Sequence, residues 1–157
     1  MKICVPVPDA LLPEATALWR SSFARFSGRL RVRSQNAIVV TSHEGVEGIV
    51  GLRDHQGGFL VISPSLTRFL FRSAPPTTDL VLDGIVVRRQ RHGFGRALIA
   101  AAEEEARLRN RPGLRAEVRL RNEKALRFYR QLGFVEETRG RFGWPWSGRV
   151  VVLRKQV

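Results

Sequence analysis

Asp83-Gly84-Ile85-Val86-Val87-Arg88-Arg89-Gln90-Arg91-His92-Gly93-Phe94-Gly95-Arg96-Ala97-Leu98 is the stretch whose reading decides the fold of this chain. A β-branched apolar run passes into a polar turn. Two glycines then open a segment that carries Leu98, Ile99, Ala102 and Ala106 at helical spacing. Strand, glycine turn and helix in that order form a cradle for an anion. The first turn of a helix leaves its N–H groups unpaired, and the helix dipole favours negative charge there. Glycine lets the backbone approach oxygen atoms closely and adopts dihedrals that other residues avoid. The Gly-Lys-Ser/Thr ending of a P-loop is missing, and Leu98 stands where the dinucleotide fingerprint needs its third glycine. Taken alone, Gly93-x-Gly95 also fits an ordinary tight strand-to-helix turn.

A second segment further along alters that balance: Asn122-Glu123-Lys124-Ala125-Leu126-Arg127-Phe128-Tyr129-Arg130-Gln131-Leu132-Gly133-Phe134. Asn122 is a good residue for a helix start, and Gly133 for a helix end. Seven residues separate Asn122 from Tyr129, about two turns, so both lie on one side of the helix. Ala125 between them is small enough to let a ligand pass. Tyr129 is the only tyrosine, and a phenol beside a bound thioester can give a proton to a departing thiolate.

Together the two segments resemble the GNAT superfamily of N-acetyltransferases. The likeness rests on Gln90-x-x-Gly93-x-Gly95 after a strand, followed by Asn122-x-x-Ala125-x-x-Phe128-Tyr129-x-x-x-Gly133-Phe134, in that order and spacing. It covers residues 80–155 well, and residues 1–79 agree in element order. The resemblance implies acetyl-CoA as co-substrate and direct attack by an amine on the thioester, without an acyl-enzyme. It implies that the backbone amides of Arg91, His92, Gly93, Phe94, Gly95 and Arg96 grip the CoA pyrophosphate, with Gln90 at the head of the loop. Ile85, Val86 and Val87 would pair with pantetheine like an added strand. Asn122 would hydrogen-bond the pantetheine arm, and Tyr129 would be the general acid toward sulfur. One departure stands out. The family often has a proline before the loop, where this chain has Val87, Arg88 and Arg89.

Many relatives place a carboxylate on the strand before the loop to take a proton from the attacking amine. Asp83 is the candidate here; its other reading is a strand-end residue at a bulge made by Gly84. His43, His55 and His92 are scattered without ligand spacing, so no metal is expected. His92 lies in the cradle, where it either touches phosphate or faces solvent.

Working outward, the apolar periodicity predicts strands over 2–7, 37–41, 46–53, 59–62, 80–87, 114–120, 134–137 and 149–153. Helices are predicted from Asp9 to near Gly28, over 93–109 and over 123–132, with a short one from Pro64 to Phe71. The order β-α-β-β-β-(α)-β-α-β-α-β-β indicates an α/β (α+β) domain built on one mixed sheet. The whole of 1–157 reads as a single N-acetyltransferase domain, with 1–79 as the acceptor-side half and 80–157 as the acyl-CoA-binding half.

The 157 residues carry a net charge of +13. Residues 1–78 hold nine Lys/Arg against five Asp/Glu, and 79–157 hold eighteen against nine, so the excess is no basic tail. It is either an arginine-decorated surface or the mark of an anionic partner. The competing reading is therefore a basic nucleic-acid-associated protein, including a toxin-like acetyltransferase acting on aminoacyl-tRNA. No helix-turn-helix, RNP pattern or zinc spacing supports it. Cys4 is the single cysteine and reads as a small buried hydrophobe. Pro6, Pro8 and Asp9 break the N-terminal apolar run, and no window reaches the ~20 residues of a membrane span. A cytoplasmic protein without membrane contact is the expectation, and the resemblance allows a homodimer.

The acceptor amine, on a small molecule or on a peptide or protein, is left open. The resemblance directs attention to Trp19, Phe23, Arg25, Phe26, Arg29, Arg31 and Arg33, and to Phe142, Trp144, Pro145 and Trp146, as walls of its cleft. Trp19 and Phe23 also read as core. The 142–146 segment, flanked by Gly140, Gly143 and Gly148, reads as a loop with large apolar surface, of the kind that covers a ligand. The arginines suggest an acceptor with negative charge.

Overall fold

The computed structural model describes residues 1–23, 30–61 and 69–157. Its strands are β1 (Lys2–Cys4), β2 (Ala37–Ser42), β3 (Gly45–Asp54), β4 (Gly57–Gly58), β5 (Leu80–Val87), β6 (Gly113–Arg119), β7 (Val135–Gly140) and β8 (Val150–Gln156). The helices are α1 (Leu12–Phe23), α2 (Phe94–Leu108) and α3 (Glu123–Gln131). The strands form one sheet in the order β1-β2-β3-β5-β6-β8-β7, with β4 paired to β3. Every pairing is antiparallel except β5 with β6. Parallel neighbours need a crossover, and α2 supplies it.

The sheet has a helical layer on each face. Alternation along β2 sends Ala37 and Val39 to the α1 side, where they meet Ala15, Trp19 and Phe59. It sends Ile38 and Val40 to the other side, with Leu98, Ile99, Ala102 and Ala106 of α2. Those four α2 residues are the inward face expected from their spacing. The acidic run on α2 is more than a solvated face. Glu103 accepts a hydrogen bond from Lys155 on β8 at 2.6 Å, and Glu105 one from Arg109 at 2.7 Å.

Several boundaries differ from the sequence reading, each for a physical reason. β1 stops at Cys4 because Pro6 and Pro8 offer no N–H to a ladder. The fourth strand is Gly57–Gly58 rather than 59–62, because the chain changes partners: Phe59 O accepts from Arg33 N–H, and Val61 N–H donates to Arg31 O. Cys4 is half-buried against the α1-side core. β7 and β8 run on to Gly140 and Gln156 as one hairpin. Of the short helix expected between Pro64 and Phe71, residues 64–68 lie outside the described residues; Phe69, Leu70 and Phe71 are exposed.

Candidate active site

The site begins where β5 and β6 part. Their parallel register holds for Leu80↔Leu114, Val81↔Arg115 and Leu82↔Ala116 and goes no further. The cause lies in the next two residues. Gly84 has φ +119°, and the β3 partner register shifts between Val50 and Leu52. This bulge turns β5 away from β6 while Ile85, Val86 and Val87 keep their pairing with β3. The β6-facing edge of β5 is left open beyond the bulge. Glycine is called for at position 84 by its φ of +119°, and a Cβ there would also lie 2.8 Å from the Phe23 ring.

Past Val87 the chain makes the predicted turn into α2. Arg91 (φ 63°) and Gly93 (φ 80°) adopt left-handed conformations within three residues. Such alternation turns successive N–H groups toward one point, a nest for an anion, continued by the free N–H groups of the α2 first turn. The two glycines serve different ends. A Cβ on Gly93 would touch nothing, so glycine is needed there for its dihedral. A Cβ on Gly95 would stand 3.1 Å from the Phe128 ring, a tight contact, so glycine there favours the close approach of α2 to α3.

The missing proline has a visible substitute. Arg88 N–H donates to Glu47 O at 2.7 Å, and Arg88 Nε to Val46 O at 3.0 Å. Arg89 Nε donates to a Glu47 carboxylate oxygen at 3.2 Å, a second guanidinium nitrogen contacts the other oxygen, and Nη1 lies 3.0 Å from Glu44. Glu47 is buried on β3, and the hydroxyl of Ser42 and the guanidinium of Arg89 hold its carboxyl below the usual range. Two arginine anchors to the neighbouring strand thus fix the start of the loop.

Two cavities flank the split. One, of about 640 Å³, runs along Ile85, Val86 and Val87 to Gln90, Arg91, Gly93, Phe94, Gly95 and Arg96, with Asn122, Ala125 and Phe128 opposite. His92 does not line it; its Nδ1 lies 2.8 Å from Gln90 O and the ring is exposed. The other cavity, of about 510 Å³, is walled by Phe23, Phe71, Phe142 and Trp144, with Asp83, Glu117 and Tyr129 deeper in. Ile85, Asn122 and Ala125 border both, so the cavities meet at the N-terminal end of α3.

That end is built as its sequence suggests. Asn122 Oδ1 accepts the Ala125 N–H at 3.2 Å and caps α3. At the other end, Phe134 N–H reaches Tyr129 O and Gly133 N–H reaches Arg130 O, with Gly133 at φ +88°, a Schellman closure. Tyr129 is buried, its ring edge-on to Phe128 and Phe134, and burial pushes its phenol above the ordinary value.

Asp83 has a partner that its sequence position does not disclose. Arg53 of β3 donates Nε to Asp83 at 2.8 Å and holds Nη2 3.6 Å from Glu117 of β6. One guanidinium therefore stands between two carboxylates. Desolvation raises both carboxyls above their usual values; Arg53 opposes this, and for Glu117 the Asp83 charge adds to it. Gly58 makes room, since a Cβ there would lie 2.7 Å from the Asp83 carboxylate. Glu117 was not among the candidates read from sequence. Its signal was available: Arg115, Glu117 and Arg119 alternate with Leu114, Ala116 and Val118, an unusually charged face for a strand inside the sheet.

Of the other residues singled out as cleft walls, Trp19 is core and Phe23 lines the cavity of about 510 Å³. Arg33 donates to Gln56 O and lines neither cavity, nor does Arg31; Arg25, Phe26 and Arg29 lie outside the described residues. Among the described residues no group of three or more His, Cys, Asp or Glu could hold a metal ion, and no helix is long and apolar enough to cross a membrane.

The sequence profile of the acetyltransferase (GNAT) family matches residues 48–134, more than half of the chain. This chain belongs to the GNAT family of acetyltransferases. No curated protein matches it significantly. Among solved structures it is similar to Ard1 from Thermoplasma volcanium, at 18% identity and TM-score 0.67, over 99% of this chain and 97% of that one. It is similar to yncA from Salmonella typhimurium, assigned as an acetyltransferase and solved with acetyl-CoA, at 16% identity and TM-score 0.65, over 99% and 92%. A third is a protein from Bacillus anthracis assigned as a streptothricin acetyltransferase, in complex with acetyl coenzyme A, at 17% identity and TM-score 0.55. That match covers 77% of this chain, which spans only 61% of the length of that one. At these identities the likeness is one of fold.

Proposed function

We propose that this acetyltransferase moves the acetyl group of acetyl-CoA to a primary amine by direct attack. The observation that carries the reading is the pair of cavities joined at Ile85, Asn122 and Ala125, one ending in an anion nest and the other in two carboxylates beside a phenol. The donor-side cavity suits CoA. The open edge of β5 offers backbone partners to the amides of pantetheine, and the nest with Arg91 and Arg96 suits a pyrophosphate. Oδ1 of Asn122 serves the α3 cap, which leaves its amide N–H groups for the pantetheine arm. Two similar structures hold acetyl-CoA, in keeping with this assignment.

Bound acetyl-CoA supplies the activated acyl group; the chain supplies position and proton transfer. The acceptor arrives as an ammonium ion and gives one proton to the Asp83–Glu117 pair. Glu117 is the freer carboxylate, because Asp83 holds the direct bond to Arg53. Tyr129 keeps its proton at neutral pH, since burial disfavours the phenolate, and delivers it to the departing sulfur. The amine nitrogen loses its second proton as the amide forms, that proton restores the Tyr129 phenol, and the net products are amide, CoA thiol and the one proton released from the carboxylate pair. The setting inferred is cytoplasmic, in keeping with a chain that has a single cysteine.

Calorimetric titration tests the donor assignment. Acetyl-CoA and CoA should each bind at one saturable site, and ATP should not. Equal binding of every polyphosphate would reduce the loop to a basic surface and overturn the reading.

A further inference from the structure

The acceptor-side cavity has an unusual wall. Phe23 ends α1, Phe71 precedes β5, and Phe142 and Trp144 lie in the β7–β8 connection, so three separate segments each bring a ring to one space. Phe23 and Phe71 are 47% and 44% exposed, so neither ring is spent on the core. The rings are nonetheless held. Phe71 meets Trp144 edge-on at 5.3 Å, and Trp144 stacks on Trp146 at 5.3 Å with planes 2° apart. Arg72 and Gly143 exchange two backbone hydrogen bonds, of 2.8 and 2.6 Å, that tie the Phe71 and Trp144 segments together. The Trp144 N–H donates to Ser147 Oγ at 3.1 Å. A pre-formed apolar wall that faces a cavity is a surface waiting for an apolar partner.

The floor is anionic. Asp83 and Glu117 share the single guanidinium of Arg53, so among the described residues the pair carries more negative charge than its one direct ion-pair partner balances. Among the described residues the charged groups facing this pair are Arg53 from β3 and, from β6, Arg115, which is engaged by Glu137 at 2.9 Å. Arg119 also borders the cavity, and its residue is exposed at the surface. The cluster of arginines that would welcome a negatively charged acceptor does not line the cavity among the described residues. Aromatic rings around a residual negative charge attract an organic cation, by ring quadrupole and by carboxylate together. The volume of about 510 Å³ fits a small molecule, and the Arg72–Gly143 tie bridges the two loops where an extended chain would need an open groove.

Resting on the acetyl-transfer reading above, we propose that the acceptor is a small primary amine carried on an aromatic or similarly apolar body, its ammonium drawn to Asp83 and Glu117 and its body held by Phe23, Phe71 and Trp144. The test uses the full chain with phenethylamine and tryptamine as probes. Spermidine, glutamate and an alanine-initiated peptide are the comparisons, and CoA thiol release is the readout. The aryl amines should show at least about tenfold higher kcat/KM than any comparison amine. Trp144→Leu and Phe71→Leu should each raise KM for phenethylamine by about tenfold and leave KM for acetyl-CoA unchanged. Leucine keeps these sites apolar, so a folded variant is expected, and thermal unfolding checks it. In parallel, quenching of tryptophan fluorescence by phenethylamine reads amine binding with no donor present. If acetyl-CoA binds but the peptide or spermidine is the better acceptor, this proposal falls and acetyl transfer stands. If acetyl-CoA does not bind, acetyl transfer falls; absent quenching then removes the aryl-amine site as well, and saturable quenching retains it as a binding site.

Discussion

In the proposed reaction the proton transfers rest on two single side chains, Tyr129 and Glu117, held in unfavourable surroundings. Tyr129→Phe removes one oxygen from a buried ring and leaves its edge-on contacts intact. It should lower kcat by about 10² to 10⁴ with KM for acetyl-CoA unchanged if the phenol acts, as proposed, while sulfur departs. An unchanged kcat in steady-state assays would remove it from the acid role. For Glu117 the folded-state value is raised, so the folded protein favours the protonated form more than the unfolded chain does. Its contribution to stability is therefore full at low pH and lost as pH rises through the unfolded value of about 4.3 toward the folded one. Glu117→Gln should thus raise Tm at pH 7, a gain that shrinks toward pH 4, while lowering kcat/KM by about 10² or more. The acid limb of the wild-type rate profile should lie above the usual glutamate range. Thermal melts across pH, set beside the rate profile, check both, and a lower Tm at pH 7 would contradict the assigned shift. Tyr129 became a candidate because it stands inside a motif with fixed spacing, and Asp83 because the resemblance points to a carboxylate on the strand before the loop. Glu47 was not among the candidates, and Glu117 showed only as part of the charged face of β6, because their partners Arg53 and Arg89 are reached through strand register and not through sequence distance.

The elements around the site were read most truly where a local rule dictates them. α3 has its asparagine cap and glycine closure, and α2 buries the four residues that its periodicity selects. Reading failed where a long-range pairing overrides local preference, as at 59–61, which leaves β3 for residues 31–33. The role of Gly95 also became visible only when α3 was packed against α2. Gly95→Val would force the first turn of α2 away from Phe128 and distort the nest. Acetyl-CoA affinity should fall at least about tenfold by calorimetry. Phe128→Ala opens the space that a larger residue needs, so Gly95→Val combined with Phe128→Ala should bind better than Gly95→Val alone. If the two losses simply add, the clash with Phe128 is not the reason glycine is there.

On the scale of the whole molecule, the arginine excess divides into two populations. Part of it is structural: Arg88 joins Glu14 of α1, Arg109 joins Asp54, and Arg154 joins Asp79, so paired cations stitch the helices and loops to the sheet. The remainder contributes to a field set by the net charge of +13. Arg91, Arg96 and Lys124 border the donor-side cavity, while the acceptor-side floor carries the Asp83–Glu117 pair. The field should therefore act on the two substrates in opposite senses. It concentrates a polyanionic donor near the protein and holds off a cationic amine until that amine meets the carboxylates. Salt screens both effects, with a Debye length that falls from about 10 Å at 0.1 M to about 3 Å at 1 M. Raising sodium chloride across that range should increase KM for acetyl-CoA several-fold, while KM for a cationic amine stays level or falls. Initial-rate measurements that vary each substrate in turn separate the two. If both constants rise together, salt is weakening acceptor binding as well, which would mean that the acceptor meets the protein as an anion and that surface arginines, rather than the half-buried Asp83–Glu117 pair, receive it.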